Sequence, residues 1–241
     1  DVRPAARVPG RYRGRRGGTG IIIKISCCWE YMVRWIIIIV SFAVCAAAAL
    51  SLTIFKEKIK SAFYIGHMER DERVNRMQVE KIIDRLRIAP GDIVADVGVG
   101  TGFFSRKIAP RVSSSGKVYA VDINRELLNH IDRGNRREGI ENIQTVAAVE
   151  NDPRIPHRVD LIFICDTLHY IDRQQEYVKT LSGYLKSDGR IAVISFKANW
   201  PPMSNKFTEK DLVRWMSNAG LELADSDNFM QDEYLMIFKK K

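Results

Sequence analysis

Two hydrophobic patterns divide the chain. From Trp35 to Phe55 the sequence reads WIIIIVSFAVCAAAALSLTIF, without a charge. About 20 such residues cross the hydrocarbon core of a bilayer as a helix. A buried helix of a soluble domain is rarely apolar on every face for this length, so the run predicts a transmembrane helix. Arg34 bounds it on one side, and Lys56, Lys58 and Lys60 on the other. Beyond Lys60 the pattern becomes amphipathic. Glu69 to Ile88 has helical spacing, with Val74, Met77, Ile82, Ile83 and Leu86 on one face. After the turn at Ala89–Asp92, short apolar runs alternate with helical stretches. Strands are predicted at 93–97, 118–121, 143–146, 159–165, 191–196, 221–224 and 234–238. Helices are predicted at 102–108, 126–137, 174–185 and 208–219, the last with Thr208 as N-cap and Gly220 beyond its end. This alternation demands an α/β fold, a parallel sheet covered by helices on both faces. The last two strands have no helix between them, which predicts a final strand entering antiparallel.

Charge sharpens the division. The net charge is +9, and residues 1–60 hold +8 of it, from 11 Lys and Arg against 3 acids. Residues 61–241 are close to neutral, so nothing there points to nucleic acid or another polyanion. Residues 1–20, rich in Arg, Gly and Pro, read as disordered. The expected organisation is a basic segment over 1–31, an anchor or signal segment over 32–60 and a folded domain over 61–241.

Met32 is an alternative start. With residues 1–31 present, the Arg excess predicts an N-inside helix and an outward-facing domain. With a start at Met32, the three lysines outweigh Arg34 and the domain faces the cytoplasm. Met32–Trp35 followed by the apolar run also has the form of a secretory signal, with small residues at Ala46–Ala49. The apolar continuation through Phe55 favours an uncleaved anchor. The four cysteines, Cys27, Cys28, Cys45 and Cys165, show neither metal-ligand spacing nor a disulfide framework. Cys27 and Cys28 read as apolar residues beside the membrane.

The first predicted strand runs into Gly98-Val99-Gly100-Thr101-Gly102. Glycines let such a loop turn sharply and let its N–H groups approach a ligand. A dinucleotide fingerprint, G-x-G-x-x-G, needs its third glycine where Phe103 stands. Asp96, two residues before the loop, repels a pyrophosphate and suits the ammonium of an amino-acid moiety. S-adenosylmethionine has that moiety and lacks a phosphate. Asp122, closing the second strand, suits ribose hydroxyls, a device that dinucleotide enzymes share.

VADVGVGTGFFS, GKVYAVDIN, VDLIFICDTLHYI and LSGYLKSDGRIAVI follow in order between Val74 and Lys239. In this the chain resembles the class I S-adenosylmethionine-dependent methyltransferases, particularly the broad group that includes quinone-biosynthesis-like enzymes. The resemblance implies a doubly wound, Rossmann-like, seven-stranded sheet with an antiparallel last strand. It implies that Asp96, Gly98, Gly100, Thr101 and Gly102 line the methionine part of S-adenosylmethionine, that Asp122 holds the ribose and that Ile123 packs on the adenine. The family's acid after the third strand is replaced here by AAVENDPRIP, leaving Glu150, Asn151 and Asp152 as candidates for the adenine contact. In LKSDGR, Ser187-Asp188 stands in a predicted turn.

Methyl transfer needs an aligned nucleophile and, where that nucleophile carries a proton, a base. The end of the fourth strand supplies Cys165, Asp166, His169 and Tyr170. His169 is a candidate base and Tyr170 a candidate substrate-positioning residue. Cys165 reads as a small residue against the cofactor, and Asp166 as a substrate contact or a cap. No Asn/Asp-Pro-Pro-Tyr/Phe tetrad follows that strand, which disfavours methylation of amino groups on DNA bases or glutamine. Nor is there a magnesium-binding acid set. Residues 199–207, with Trp200 and Met203, read as a lid loop, and His67–Asn75 as a second segment over the site. The sequence therefore predicts a membrane-anchored or exported methyltransferase acting on a small-molecule or lipid-like acceptor. An NAD(P)-dependent oxidoreductase and a non-catalytic S-adenosylmethionine-binding domain are the alternatives.

Overall fold

In a computed structural model the chain divides into two units, residues 1–57 and 58–241. The structure describes residues 19–68, 76–197 and 207–241, with side chains at 29, 31–53, 55 and 56 of the first stretch. The predicted disorder of residues 1–18, the side chains of Cys27, Cys28, Lys58 and Lys60, Val74, most of the His67–Asn75 segment, and Trp200 and Met203 of the lid loop lie outside that description.

Helix α1 runs from Thr19 to Met68. It starts within the segment expected to be disordered, because Ile21–Ile23 and Ile25 supply apolar residues and no proline interrupts the run. Within it, Tyr31–Thr53 is long and apolar enough to cross a membrane, with a mean hydropathy of 2.6 and no burial against the protein. Two of its hydroxyls are satisfied inside the helix: Ser51 Oγ donates to the Ala47 carbonyl at 2.8 Å and Thr53 Oγ1 to that of Ala49 at 3.0 Å. Trp29, Tyr31 and Trp35 crowd one end, and the Tyr31 and Trp35 rings meet edge to face at 6.1 Å.

The second unit holds a seven-stranded sheet. Its strands are β1 (Ile93–Val97), β2 (Lys117–Asp122), β3 (Ile143–Ala147), β4 (Val159–Cys165), β5 (Leu185–Phe196), β6 (Leu221–Asp227) and β7 (Glu233–Lys240). Their order is β3-β2-β1-β4-β5-β7-β6. The first five pair in parallel, and β7 lies antiparallel between β5 and β6. The helices are α2 (Val79–Arg85), α3 (Phe103–Val112), α4 (Arg125–Glu138), α5 (Gln174–Gly183) and α6 (Glu209–Asn218).

Strand alternation assigns the faces. Val94, Leu161, Phe163, Ile194 and Leu235 pack with α2, α3 and α4, while Ala95, Ile162, Ile164, Val193 and Met236 pack with α5 and α6. Each fully buried Ile, Leu or Phe contributes about 1.5–3 kcal/mol, so both faces are needed to hold the sheet. Four of the residues expected on the inner face of the helix after Glu69, Met77, Ile82, Ile83 and Leu86, are buried. The Arg190 guanidinium ties the end of α2 to the sheet, donating to the carbonyls of Leu86 (2.7 Å) and Arg87 (2.9 Å).

The predicted turn at Ser187-Asp188 is corrected. Leu185 already pairs with Val159, and pairing resumes at Arg190 with Leu161, so residues 186–189 bulge out of a continuous β5. Lys186 Nζ holds Asp160 at 2.7 Å there. A Cβ on Gly189 would stand 3.0 Å from the Val159 carbonyl oxygen, so the bulge folds back close to β4.

The candidate functional site

Strand order reverses between β1 and β4, where ligands of open α/β sheets bind at the carboxyl ends of the strands. Asp96 stands there on β1, in register with Ala120 of β2 and Phe163 of β4. Its carboxylate is buried and accepts a 2.7 Å hydrogen bond from Ser105 Oγ, one turn into α3. Burial, reinforced by the nearby Asp122 and opposed by Ser105, pushes its pKa up to about 7. The site therefore presents a carboxyl group whose ionisation a cationic ligand would favour.

Gly98, Gly100 and Gly102 all have positive φ, 74°, 56° and 79°, which a residue with a Cβ adopts only under strain. A Cβ on Gly98 would stand 2.1 Å from Thr167 Oγ1, and one on Gly102 2.9 Å from Ile131 of α4. The glycine loop is thus packed against both the end of β4 and a helix. Its N–H groups differ from the sequence expectation. Gly98 N and Val99 N donate to the Val121 carbonyl (2.8 and 3.0 Å), and Gly102 N to that of Val99 (3.0 Å). Gly100 N donates to Asp122 Oδ2 at 3.1 Å. Three of these four donors tie the loop to β2 and one closes the loop on itself, so they are not offered to a phosphate. The Thr101 side chain is buried, and the Thr101 carbonyl accepts from Arg106 Nη1 at 3.0 Å.

Asp122 closes β2, and its Oδ1 accepts from Asn124 N at 2.8 Å. Burial raises its pKa against the lowering effect of these N–H donors. Ile123, the next residue, is 68% exposed, an apolar side chain standing free at the mouth of the site. Past β3, Asp152 accepts from Tyr184 Oη (2.7 Å) and Arg154 N (2.8 Å), and the Tyr184 bond holds its pKa below the usual range. Asp152 is therefore occupied within the fold, whereas Glu150 and Asn151 are exposed.

The end of β4 carries the remaining predicted residues. Cys165 is half-buried, and the Cys165 carbonyl accepts from Thr167 Oγ1 at 2.9 Å. Asp166 has a φ of 48°, a left-handed conformation that Asp tolerates better than most residues. A 3-10 turn, Leu168–Tyr170, follows. In it His169 is buried, its ring 4.1 Å from that of Tyr170 and 6.1 Å from that of Phe196 between centroids, while Tyr170 is 64% exposed. Asp96, the glycine loop, Asp122 and Ile123 thus gather at the ends of β1 and β2, and Cys165 through Tyr170 stand at and just past the end of β4.

Two parts of this region carried little sequence signal. Ser105 looked like an ordinary helix serine, and only its place on the inner face of α3 marks it. The buried Asp232 and Glu233 at the start of β7 are an acid pair at the head of an apolar strand, a signal present in the sequence that no motif explained.

Residues 94–189 match the family model described as a methyltransferase domain. Among curated proteins, the chain is 28% identical over 159 residues to a ubiquinone/menaquinone biosynthesis C-methyltransferase of Ectopseudomonas mendocina, covering 65% of this chain and 62% of that protein. The chain thus spans less than two thirds of that relative. Among solved structures, an S-adenosylmethionine-dependent methyltransferase from Aquifex aeolicus aligns with a TM-score of 0.67 at 23% identity, over 73% of this chain and 97% of that one. The Burkholderia thailandensis 1,6-didemethyltoxoflavin-N1-methyltransferase, with bound 1,6-didemethyltoxoflavin and S-adenosylhomocysteine, aligns with a TM-score of 0.59 at 20% identity, over 79% and 88% of the two chains. The structural matches carry the fold. The family match over residues 94–189 and the ordered motifs of β1, β2, β4 and β5 make the chain similar to the class I S-adenosylmethionine-dependent methyltransferases.

Proposed function

We propose that the chain transfers a methyl group from S-adenosylmethionine to a small-molecule or lipid-like acceptor, and that Tyr31–Thr53 anchors it in a membrane. The observation that carries the reading is the buried Asp96 beside a glycine loop in which the N–H groups of Gly98, Val99, Gly100 and Gly102 are engaged within the protein. A dinucleotide loop needs such donors for a pyrophosphate, which weighs against the oxidoreductase alternative. The donor set fits a ligand with an ammonium, a diol and an aromatic ring.

In this reading Asp96 holds the ammonium. Gly98, Gly100, Thr101 and Gly102 let the amino-acid part approach the backbone. Asp122 takes the ribose hydroxyls, Ile123 covers the adenine, and Asn151 lies at its edge. S-adenosylmethionine, when bound, supplies an activated methyl group on a sulfonium. Cys165 packs beside it, His169 acts as base and the exposed Tyr170 positions the acceptor. The apolar α1 and the quinone-pathway name of the Ectopseudomonas relative support an acceptor with lipid-like character.

Calorimetry of the full chain in detergent with S-adenosylmethionine, S-adenosylhomocysteine and NADH tests the reading. Binding of the first two and not of NADH is expected. No binding of either adenosyl compound at millimolar concentration would sink it. Labelled methyl transfer into membrane lipid extracts then identifies the acceptor.

A further inference from the structure

Past β3 the chain must cross back to the amino end of β4, and residues 148–158 make that crossing. Ala147 ends β3 in register with Asp122, and Ala148 N donates to the Asp122 carbonyl at 2.9 Å. Val149 and Asp152 then close a tight turn, each N–H donating to the other's carbonyl at 3.0 and 3.1 Å. Glu150 and Asn151 form its exposed tip. The turn is thus tied at its near end to the residue that the methyltransferase reading gives to the ribose.

Its far end is fastened by a side chain from another element. Asp152 Oδ1 accepts from Tyr184 Oη at 2.7 Å and from Arg154 N at 2.8 Å. Pro153 follows, buried, and a proline confines the residue before it to extended backbone. Arg154, with a φ of 52°, then turns the chain so that Ile155 enters the core. Tyr184 stands between α5 and β5, 32 residues beyond Asp152 in sequence. Its carbonyl accepts from Val159 N at 2.9 Å at the start of β4. Its ring and Ala148 pack against the same core cluster. The hydroxyl is therefore delivered from a fixed support. Asp152 acts as the fastening, and the tip is what the turn presents outward.

We propose that Tyr184 is a positioning residue for base recognition: through Asp152 it holds the 149–152 turn so that Glu150 and Asn151 meet the polar edge of the adenine of S-adenosylmethionine. This rests on the methyltransferase reading and deepens it. Adenine offers an amine donor beside a ring-nitrogen acceptor. The Asn151 amide can pair with both, and the Glu150 carboxylate accepts only. Hypoxanthine carries an oxygen in place of the amine and turns that donor into an acceptor. A tip held in place tells the two bases apart, and a loose tip adapts to either.

The test uses S-adenosylhomocysteine and its deaminated analogue S-inosylhomocysteine, titrated calorimetrically into the full chain in detergent. Tyr184→Phe keeps the ring and removes the hydroxyl. S-adenosylhomocysteine affinity should fall about tenfold and that of the analogue much less, so the preference for adenine shrinks. Amide exchange at Val149 and Asp152 should quicken without any ligand. Asp152→Ala breaks the same contact from the other end and should match it, the double variant being no worse than either single one. A purely structural role would weaken both ligands alike, and equal losses overturn the proposal. So does a folded Tyr184→Phe with unchanged S-adenosylhomocysteine affinity or unchanged exchange. If Tyr184→Phe fails to fold, Asp152→Ala gives the same readings, and failure of both to fold makes the contact a requirement of the fold and overturns the proposal. A wild type that binds neither compound would instead overturn the methyltransferase reading.

Discussion

Asp96 must be ionised to hold an ammonium, yet its surroundings favour the protonated form. Its pKa of about 7 is set first by burial. In the unfolded chain an Asp titrates near 3.9. Between these values the unfolded chain releases the proton first, so this group's contribution to stability falls as pH rises from about 4 to about 7. Binding has the opposite sign. A cationic ligand lowers the carboxyl's pKa, so below about 7 it must expel a proton to bind. S-adenosylhomocysteine affinity should rise up to about tenfold per pH unit toward pH 7 and level off above it. Calorimetry in buffers of different ionisation enthalpy measures that proton release, and a pH-independent affinity in the wild type would refute it. Asp96→Asn should bind more weakly at pH 8, by about 1.5–3 kcal/mol for a lost charged hydrogen bond, with a flat profile. The identity of Asp96 was legible from its spacing to Gly98. Its protonation was not, because that depends on Ser105 from α3 and on Asp122 from another strand.

Elements were legible where a local signal fixed them. Thr208 caps α6, accepting from Asp211 N at 3.2 Å while Asp211 Oδ2 accepts from Thr208 N at 3.0 Å. This reciprocal box is written in four consecutive residues. Thr208→Ala should cost about 1 kcal/mol, read as a lower midpoint in urea denaturation at unchanged slope. An unchanged midpoint would mean that packing of Leu212, Trp215 and Met216 alone holds the helix. The bulge at 186–189 had the composition of a turn, and its sequence could not reveal that Leu185 was already paired. Pairing is a property of β4, and only the register of two strands exposes it. The buried His169 follows the same logic, since its neighbour Phe196 is supplied by β5.

At the scale of the whole molecule, the charge map and the hydropathy map divide the chain at the same place. Tyr31–Thr53 exposes its apolar side chains apart from the half-buried Val33. The full chain should float with phospholipid vesicles on a density gradient. Two arginines in the span, Val40→Arg with Ala47→Arg, each costing about 2.5–3.5 kcal/mol near a bilayer centre, should leave it at the bottom. Equal flotation of both proteins would exclude insertion of this segment. The sheet order was legible only as far as the alternation of strands and helices reached. That β7 inserts between β5 and β6 follows from long-range pairing. It also bears on synthesis. Among the described residues β6 has β7 as its only sheet neighbour, and β5 keeps a bare edge until residues 233–240 arrive. A nascent chain with those residues still inside the ribosome therefore carries an open strand edge, a template for wrong pairing. The sheet can close only when translation has passed Lys240, so pauses just before β7 should raise the demand for chaperones.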